Sequence, residues 1–496
     1  MRGEVARQPG RELIAGTASI FVAEALLVPV GILTTAFLTR RFGPAGYGLL
    51  ALSTVVVVWV ESNLASALSR PAIKLVGEAR DPGGAASTVL RLYLFAGVAL
   101  AAAFWLAAPA TAALLAEPSL VPSLRLLSLE IPFFCLAQAH RNVLAAAGRF
   151  RERAISTAAR WVARLALVVA LARATGTTTG ALAGFVLASV VEVAVCRMFV
   201  RPPLFAAGRL RARQVYDSAA PLVASAICLT LFNRLDVIML KSLGGTAAQV
   251  GFYAVAQSLS LLPTLFSFSF APVLLSTLTR TLGGGDERAA RELTRQSMRV
   301  VVLLLPVVAA TAGASGEIVR LLFGAQFLAA APLLSALAFA ALASVMITVT
   351  SCVLTATDRA AWTLRVALPM LIAAAFGHAL VIPRAGAHGA AVVTTAISVA
   401  GALVSAALVK RLWGVAPHAR TCLRAALVAA LAFACAALVA TPGALVLVKL
   451  AVTCALSCAA LGALGEFSPD EIAWARSLLR RRRRREPLAI DLRREA

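Results

Sequence analysis

Apolar runs of about 20 residues, the length of helix that crosses a hydrocarbon core of ~30 Å, recur from one end of this chain to the other. No other feature restricts its folding as strongly. Lipid offers backbone amides no partner, so such runs must close their hydrogen bonds internally as helices. A membrane barrel would show strands alternating apolar with polar residues, and that alternation is absent. About fourteen spans are read, running from 13–38 to 443–464. The expected fold is all-α, a polytopic membrane protein. A chain with 60% hydrophobic and only 14% charged residues and a mean hydropathy of +0.86 lies outside the range of soluble domains. The first apolar stretch is too long for a signal peptide and lacks a cleavage site, so a mature N-terminus is expected.

A net charge of +24 could suit nucleic acid, but its distribution points elsewhere. An even number of spans puts both termini on one side. Most of the 47 Lys and Arg residues then fall on that side, in the N-terminal segment, at 197–213, at 280–299, at 410–424 and in the tail with Arg480 to Arg485. The opposite loops hold Arg40, Arg41, Arg173, Lys241, Arg320 and Arg384. This asymmetry is the positive-inside rule, with the basic side cytoplasmic. The arginine run reads as a tail on anionic headgroups, and no nucleic-acid partner is expected. The eight cysteines contain no CxxC pair, so neither a disulfide framework nor a zinc site is indicated.

The first six spans resemble the next six. "GYGLLALS" at 46–53 matches "GFYAVAQS" at 251–258, Leu114 and Leu115 match Leu321 and Leu322, and "GTTTGALAG" at 176–184 matches "AGAHGAAVV" at 385–393. A tandem six-span unit keeps its orientation, which relates the copies by an axis along the membrane normal and leaves a cavity between them. The expected organisation is an N-lobe at 1–200, a Pro-rich basic connector at 201–214, a C-lobe at 215–410, two added spans at 411–467 and a basic tail at 468–496.

Charges deep in spans cost about 2.5–3.5 kcal/mol each on insertion scales, so those retained face a cavity or a partner. Arg234 and Asp236 stand two residues apart in "LFNRLDVIMLKSL" (231–243). On a helix that spacing puts them on nearly opposite faces, and each needs a partner from another element. Arg160 and Arg164 lie one turn apart, Arg141 is near them in sequence depth, and Arg40 and Lys241 fall at corresponding places of the two repeats. Arg40, Arg41, Arg141, Arg160, Arg164, Arg234 and Lys241 are therefore the candidate cavity cations, suited to an anion through fork-shaped, charge-assisted contacts. Glu24, near mid-membrane in span 1, with Asp236 and Glu130, are the candidate coupling carboxylates. Glu61 and Glu192 sit nearer the cytoplasmic ends of their spans and are expected to pair with basic loops. No phosphate loop, HExxH or nucleophile elbow is present, so no catalytic residue, metal or cofactor is expected and energy would come from Na+ or H+ coupling or a downstream sink.

The stretches "FLTRRFGPAGYGLLALS" (37–53), "LAAAGRFRERAIS" (144–156), "LFNRLDVIMLKSLGGTAAQVGFYAVAQSL" (231–259) and "IPRAGAHGAAVVTTAIS" (382–398) together resemble the bacterial oligosaccharide/polysaccharide flippases of the multidrug/oligosaccharidyl-lipid/polysaccharide exporter superfamily. The resemblance implies a V-shaped pair of six-helix lobes around a cation-lined cavity, alternating between inward-open and outward-open. It implies a cargo of polyprenyl-pyrophosphate-linked oligosaccharide, flipped across the inner membrane for O-antigen, capsule or exopolysaccharide assembly, with polymerase machinery as a candidate partner. Two relatives remain as alternatives, lipid II flippases and drug or cation antiporters. A different class, the O-antigen polymerase or ligase, is disfavoured because no outer loop exceeds about fifteen residues where such enzymes commonly display a large one.

Overall fold

The computed structural model describes residues 26–77, 79, 81–203, 220–260, 264–359 and 361–467. Every regular element among them is helical: α1 (Leu27–Gly77), α2 (Pro82–Leu114), α3 (Leu120–Ser128), α4 (Glu130–Ala146), α5 (Phe150–Thr175) and α6 (Thr178–Phe199) precede residue 200. Beyond it follow α7 (Ala220–Ser242), α8 (Ala247–Ser260), α9 (Thr264–Gly283), α10 (Glu287–Leu303), α11 (Leu305–Gly313), α12 (Ser315–Phe323), a 3-10 turn (Ala325–Ala330), α13 (Ala331–Ala356), α14 (Ala361–Trp413), α15 (Ala419–Leu438) and α16 (Leu445–Ala463). The expectation of an all-helical membrane protein holds. Ten stretches among the described residues are long and apolar enough to cross a membrane, against the fourteen spans expected. The difference has two sources. α1 and α14 each hold two of the expected spans in one stretch, and the spans expected on α7 and across α8 and α9 are not among the ten.

Two glycines break long helices. Gly43 in α1 (φ 67, ψ −175) and Gly386 in α14 (φ 54, ψ −136) adopt backbone conformations that a Cβ strongly disfavours. Each stops one span and starts the next without an intervening loop.

α1 is the helix through which the two sets of helices meet. It packs on α2, α4, α5 and α6 of the first set and on α7, α8, α12 and the 3-10 turn of the second. Its closest approach is to α8. A Cβ on Gly48 would lie 1.8 Å from the Ala247 carbonyl oxygen, and one on Gly251 would lie 2.1 Å from that of Pro44. The contact is reciprocal and brings backbone against backbone, which only small residues permit. Gly48 and Gly251 face each other at this crossing.

α15 and α16 pack against α11 and α10 and are fixed at both ends by charge. At one end Glu466 accepts from Arg299 (2.9 Å), Arg424 (3.2 Å) and Thr421 (2.8 Å). At the other, Lys449 pairs with Glu317, which also accepts from the Thr441 backbone N–H at 2.8 Å. The added pair is therefore tied to the second set of helices.

Substituting Gly48 by Val should separate α1 from α8, because no rotamer removes a Cβ overlap with a backbone carbonyl. Gly316→Ala is the control, since a Cβ there meets nothing within 4 Å. Size-exclusion of detergent-solubilised protein should show loss of the monodisperse peak for the first variant and an unchanged peak for the second.

Candidate functional site

Four helices converge their charged side chains on one buried cluster. α1 brings Glu61, α4 Glu130, Gln138 and Arg141, α5 Arg160, and α6 Ser189 and Glu192, all of them buried. Arg160 is the hub. Its Nη2 donates to Glu61 Oε2 at 3.4 Å and Glu130 Oε1 at 3.3 Å, and its Nε lies 3.5 Å from Glu192 Oε2. Arg141 Nη1 donates to Glu192 Oε1 at 2.8 Å and Nη2 to Gln138 Oε1. Ser189 Oγ donates to Glu130 Oε1 at 2.9 Å. Phe134 lies beneath both guanidinium groups, 4.9 Å from Arg160 and 5.7 Å from Arg141. Charges this deep persist only when paired and hydrogen-bonded, and three carboxylates hold two arginines here.

Arg164, one turn further along α5, is arranged differently. It packs on Phe185 (3.9 Å to the ring centroid) and Trp161 (5.6 Å), a planar cation laid over aromatic faces, and among the described residues it forms no salt bridge. It lines a cavity of about 230 Å³ between the two sets of helices, with Gly31, Thr34 and Tyr47 of α1 on one side and Ala254 and Gln257 of α8 on the other. Arg234 of α7 lines the same cavity from the second set. It also lines a second cavity of about 460 Å³, with Asn233, Asp236, Gln257, Thr394 and Ser398. One guanidinium thus borders both spaces.

Asp236 is buried in the wall of the second cavity. Its Oδ2 accepts from Tyr253 O–H at 2.6 Å and from Gln257 Nε2 at 3.4 Å, and its Oδ1 from the Val237 N–H at 2.7 Å. Tyr253 in turn meets Thr394 Oγ1 at 3.2 Å. Asp236 takes its partners Tyr253 and Gln257 from another element, as expected, and they are neutral donors.

The remaining expected residues separate. Arg40 and Arg41 are exposed, and Arg40 donates to the Leu321 and Leu322 carbonyls at 2.9 and 3.3 Å. Lys241 is buried and paired with Glu117 at 2.9 Å. Glu24 lies outside the described residues. Arg160 and Arg141 sit in the carboxylate cluster and are absent from the lining of either cavity. Glu61 and Glu192 do not pair with basic loops as expected. They pair with Arg160 and Arg141 on helices α5 and α4, because the helices bring these closer than any loop cation. The signal in the sequence was their position inside apolar runs, "VVVVWVES" and "ASVVEVAV", where an unpaired carboxylate is too costly to retain.

Residues 37–332 match the family described as "Polysaccharide biosynthesis protein", more than half of the chain. The chain belongs to this family. The resemblance read from the four sequence stretches is thereby borne out at the level of the family. No curated protein matches the sequence. Among solved structures, the fold is similar to that of the lipid II flippase MurJ in an inward closed conformation, at 14% identity over 89% of this chain and 97% of that one, with a TM-score of 0.73. It is also similar to an inward-facing multidrug resistance MATE family transporter of the MOP superfamily, at 15% identity over 80% and 94%, TM-score 0.62. A MOP superfamily transporter from Pyrococcus furiosus is similar at 14% identity over 82% and 96%, TM-score 0.61. At such identities the likeness shows a shared fold.

Replacing Arg160 by Ala leaves Glu61, Glu130 and Glu192 buried without their common partner, a loss of about 3–5 kcal/mol by analogy with broken buried pairs. The thermal unfolding midpoint of the purified protein should fall sharply, and adding Glu130→Gln should recover part of it. An unchanged midpoint would show the cluster to be hydrated rather than dry.

Proposed function

We propose that this family member is a transporter, not an enzyme, that flips a polyprenyl-pyrophosphate-linked oligosaccharide between membrane leaflets. The observation that carries the reading is the pair Arg164 and Arg234. They line one cavity from opposite sides, and neither is neutralised by a salt bridge among the described residues. A diphosphate crossing an apolar layer needs fixed cations along its route, and two guanidinium groups supply them in fork geometry. Weak contact at several points suits a cargo that must also leave. The prenyl tail stays in lipid while the sugar and diphosphate occupy the passage.

On this reading residues 1–200 and 215–410 act as two lobes that rock about the α1–α8 crossing, as transporters built of repeats do. The basic ends are cytoplasmic, the membrane is the bacterial inner membrane, and the flipped unit passes to polymerising machinery. Asp236 is the coupling carboxylate, since it is buried in a polar cavity with neutral donors that would suit either a proton or a sodium ion. Glu130 is less suited to that role because Arg160 and Ser189 already hold it.

The test is flipping of a pyrophosphate-linked oligosaccharide in proteoliposomes that hold the full chain. Arg164→Ala and Arg234→Ala should each slow flipping about 10–100-fold, the value of one charge-assisted contact, with protein amount and unfolding midpoint unchanged. Retained rates in both would overturn the reading. Mass spectrometry of lipid intermediates accumulating in a deletion strain separates the MurJ-like alternative, because a peptide-bearing carrier would indicate lipid II. Asp236→Asn should remove any dependence of the rate on a sodium or proton gradient, and a dependence that persists would exclude Asp236 as the coupling group.

A further inference from the structure

The two cations at corresponding repeat positions, Arg40 and Lys241, do the same thing in opposite directions. Arg40 stands in the last turn before the break at Gly43 and reaches from α1 to Leu321 and Leu322, in the last turn of α12. Those carbonyls belong to the four at a helix C-terminus that lack an intrahelical partner and carry its negative dipole end. Gln326 adds a bond back to the Thr39 carbonyl at 3.3 Å. Lys241 stands in the last turn of α7 and reaches the other way, to Glu117 just beyond the end of α2, at 2.9 Å. Leu114 and Leu115, which precede Glu117, are the sequence counterparts of Leu321 and Leu322. Each set of helices thus offers a cation at the end of its first helix and receives one from the other set on an equivalent segment.

The surroundings fit a closure built for strength. Lys241 is buried, so its pair is worth more than an exposed one. The Lys241 ammonium, with help from Ser119, holds the Glu117 carboxyl below the usual carboxylate range. Ala116 bears a positive φ of 49° in the turn that presents Glu117, a conformation costing about 1–2 kcal/mol for a residue with a Cβ. Strain of this kind persists where the surroundings hold it in place. Next to Gln326, Phe327 is fully buried with edge-on ring contacts to Tyr47 of α1 (centroids 6.4 Å apart) and Phe252 of α8 (5.8 Å), an aromatic junction between the two sets of helices.

We propose that Lys241–Glu117 and Arg40–Leu321/Leu322 form one two-sided latch that shuts this end of the inter-lobe passage, the outer end in the proposed orientation, and that its release precedes opening there. The idea that the end opens rests on the transporter reading, but the latch is testable without cargo. Both cations lie at helix C-termini, so the helix dipole keeps each of them favourable when the latch is broken. Two states of comparable energy are the requirement for a gate.

Hydrogen exchange of the full chain in lipid nanodiscs, read by mass spectrometry on peptides covering 112–120 and 319–328, measures opening at this end. Glu117→Gln and Lys241→Met, which remove charge with little change of shape, should each speed exchange in both segments roughly tenfold, while peptides of α5 and α6 stay unchanged. The exchanged pair Glu117→Lys with Lys241→Glu should return rates toward those of the unmodified protein. Unchanged exchange in the single variants, or an exchanged pair as fast as they are, would overturn the proposal. Should these variants fail to fold, Arg40→Gln tests the other side of the latch with the same readout, and no acceleration in 319–328 counts against it equally. Because no cargo is present, a failure of the lipid-linked sugar reading leaves the outcome intact.

Discussion

A guanidinium group removed from water must be met by acceptors or by aromatic faces, and in this protein that requirement sorts the arginines into two kinds. Arg160 and Arg141 are paired with Glu61, Glu130 and Glu192, and with them α1, α4, α5 and α6 are tied around one centre, although Arg160 Nε, Glu61 Oε1 and Glu192 Oε2 have no hydrogen-bond partner there. Arg164, a single turn from Arg160, receives aromatic faces instead and keeps its charge toward the passage. The same cluster therefore holds the helices together and leaves Arg164 without a salt bridge among the described residues.

The second set of helices meets the problem differently. Asp236 has neutral donors from Tyr253 and Gln257 and a chain of polar contacts reaching Thr394. The first set of helices thus pairs its buried carboxylates with arginines, whereas Asp236 is met by neutral donors alone. Arg234 borders both cavities.

Much of this was legible beforehand for a clear physical reason. Hydropathy and the bias of Lys and Arg among loops report directly on membrane spans, because lipid acts on each segment separately. The match with a polysaccharide biosynthesis family agrees with motifs that were visible as short quoted stretches. Partnership was less legible. Arg160 read as a cavity cation because Arg164 lies one turn away on its helix, yet Glu61 lies 99 residues away in sequence and only packing brings it to Arg160. Glu117 gave no signal at all, being one acid in a short turn.

The sequence by itself determined that the chain is an all-helical membrane protein built from a repeated unit, and that Arg164, Arg234 and Asp236 lie deep enough to need a reason. Spans, periodicity and depth depend on residues near one another along the chain, so local order suffices to read them. The tertiary structure alone decided which charges neutralise each other, that Gly48 lies against Gly251, and that Lys241 closes on Glu117. Those outcomes depend on how separate helices cross, and a crossing set by the approach of one backbone to another is a property of two distant segments together.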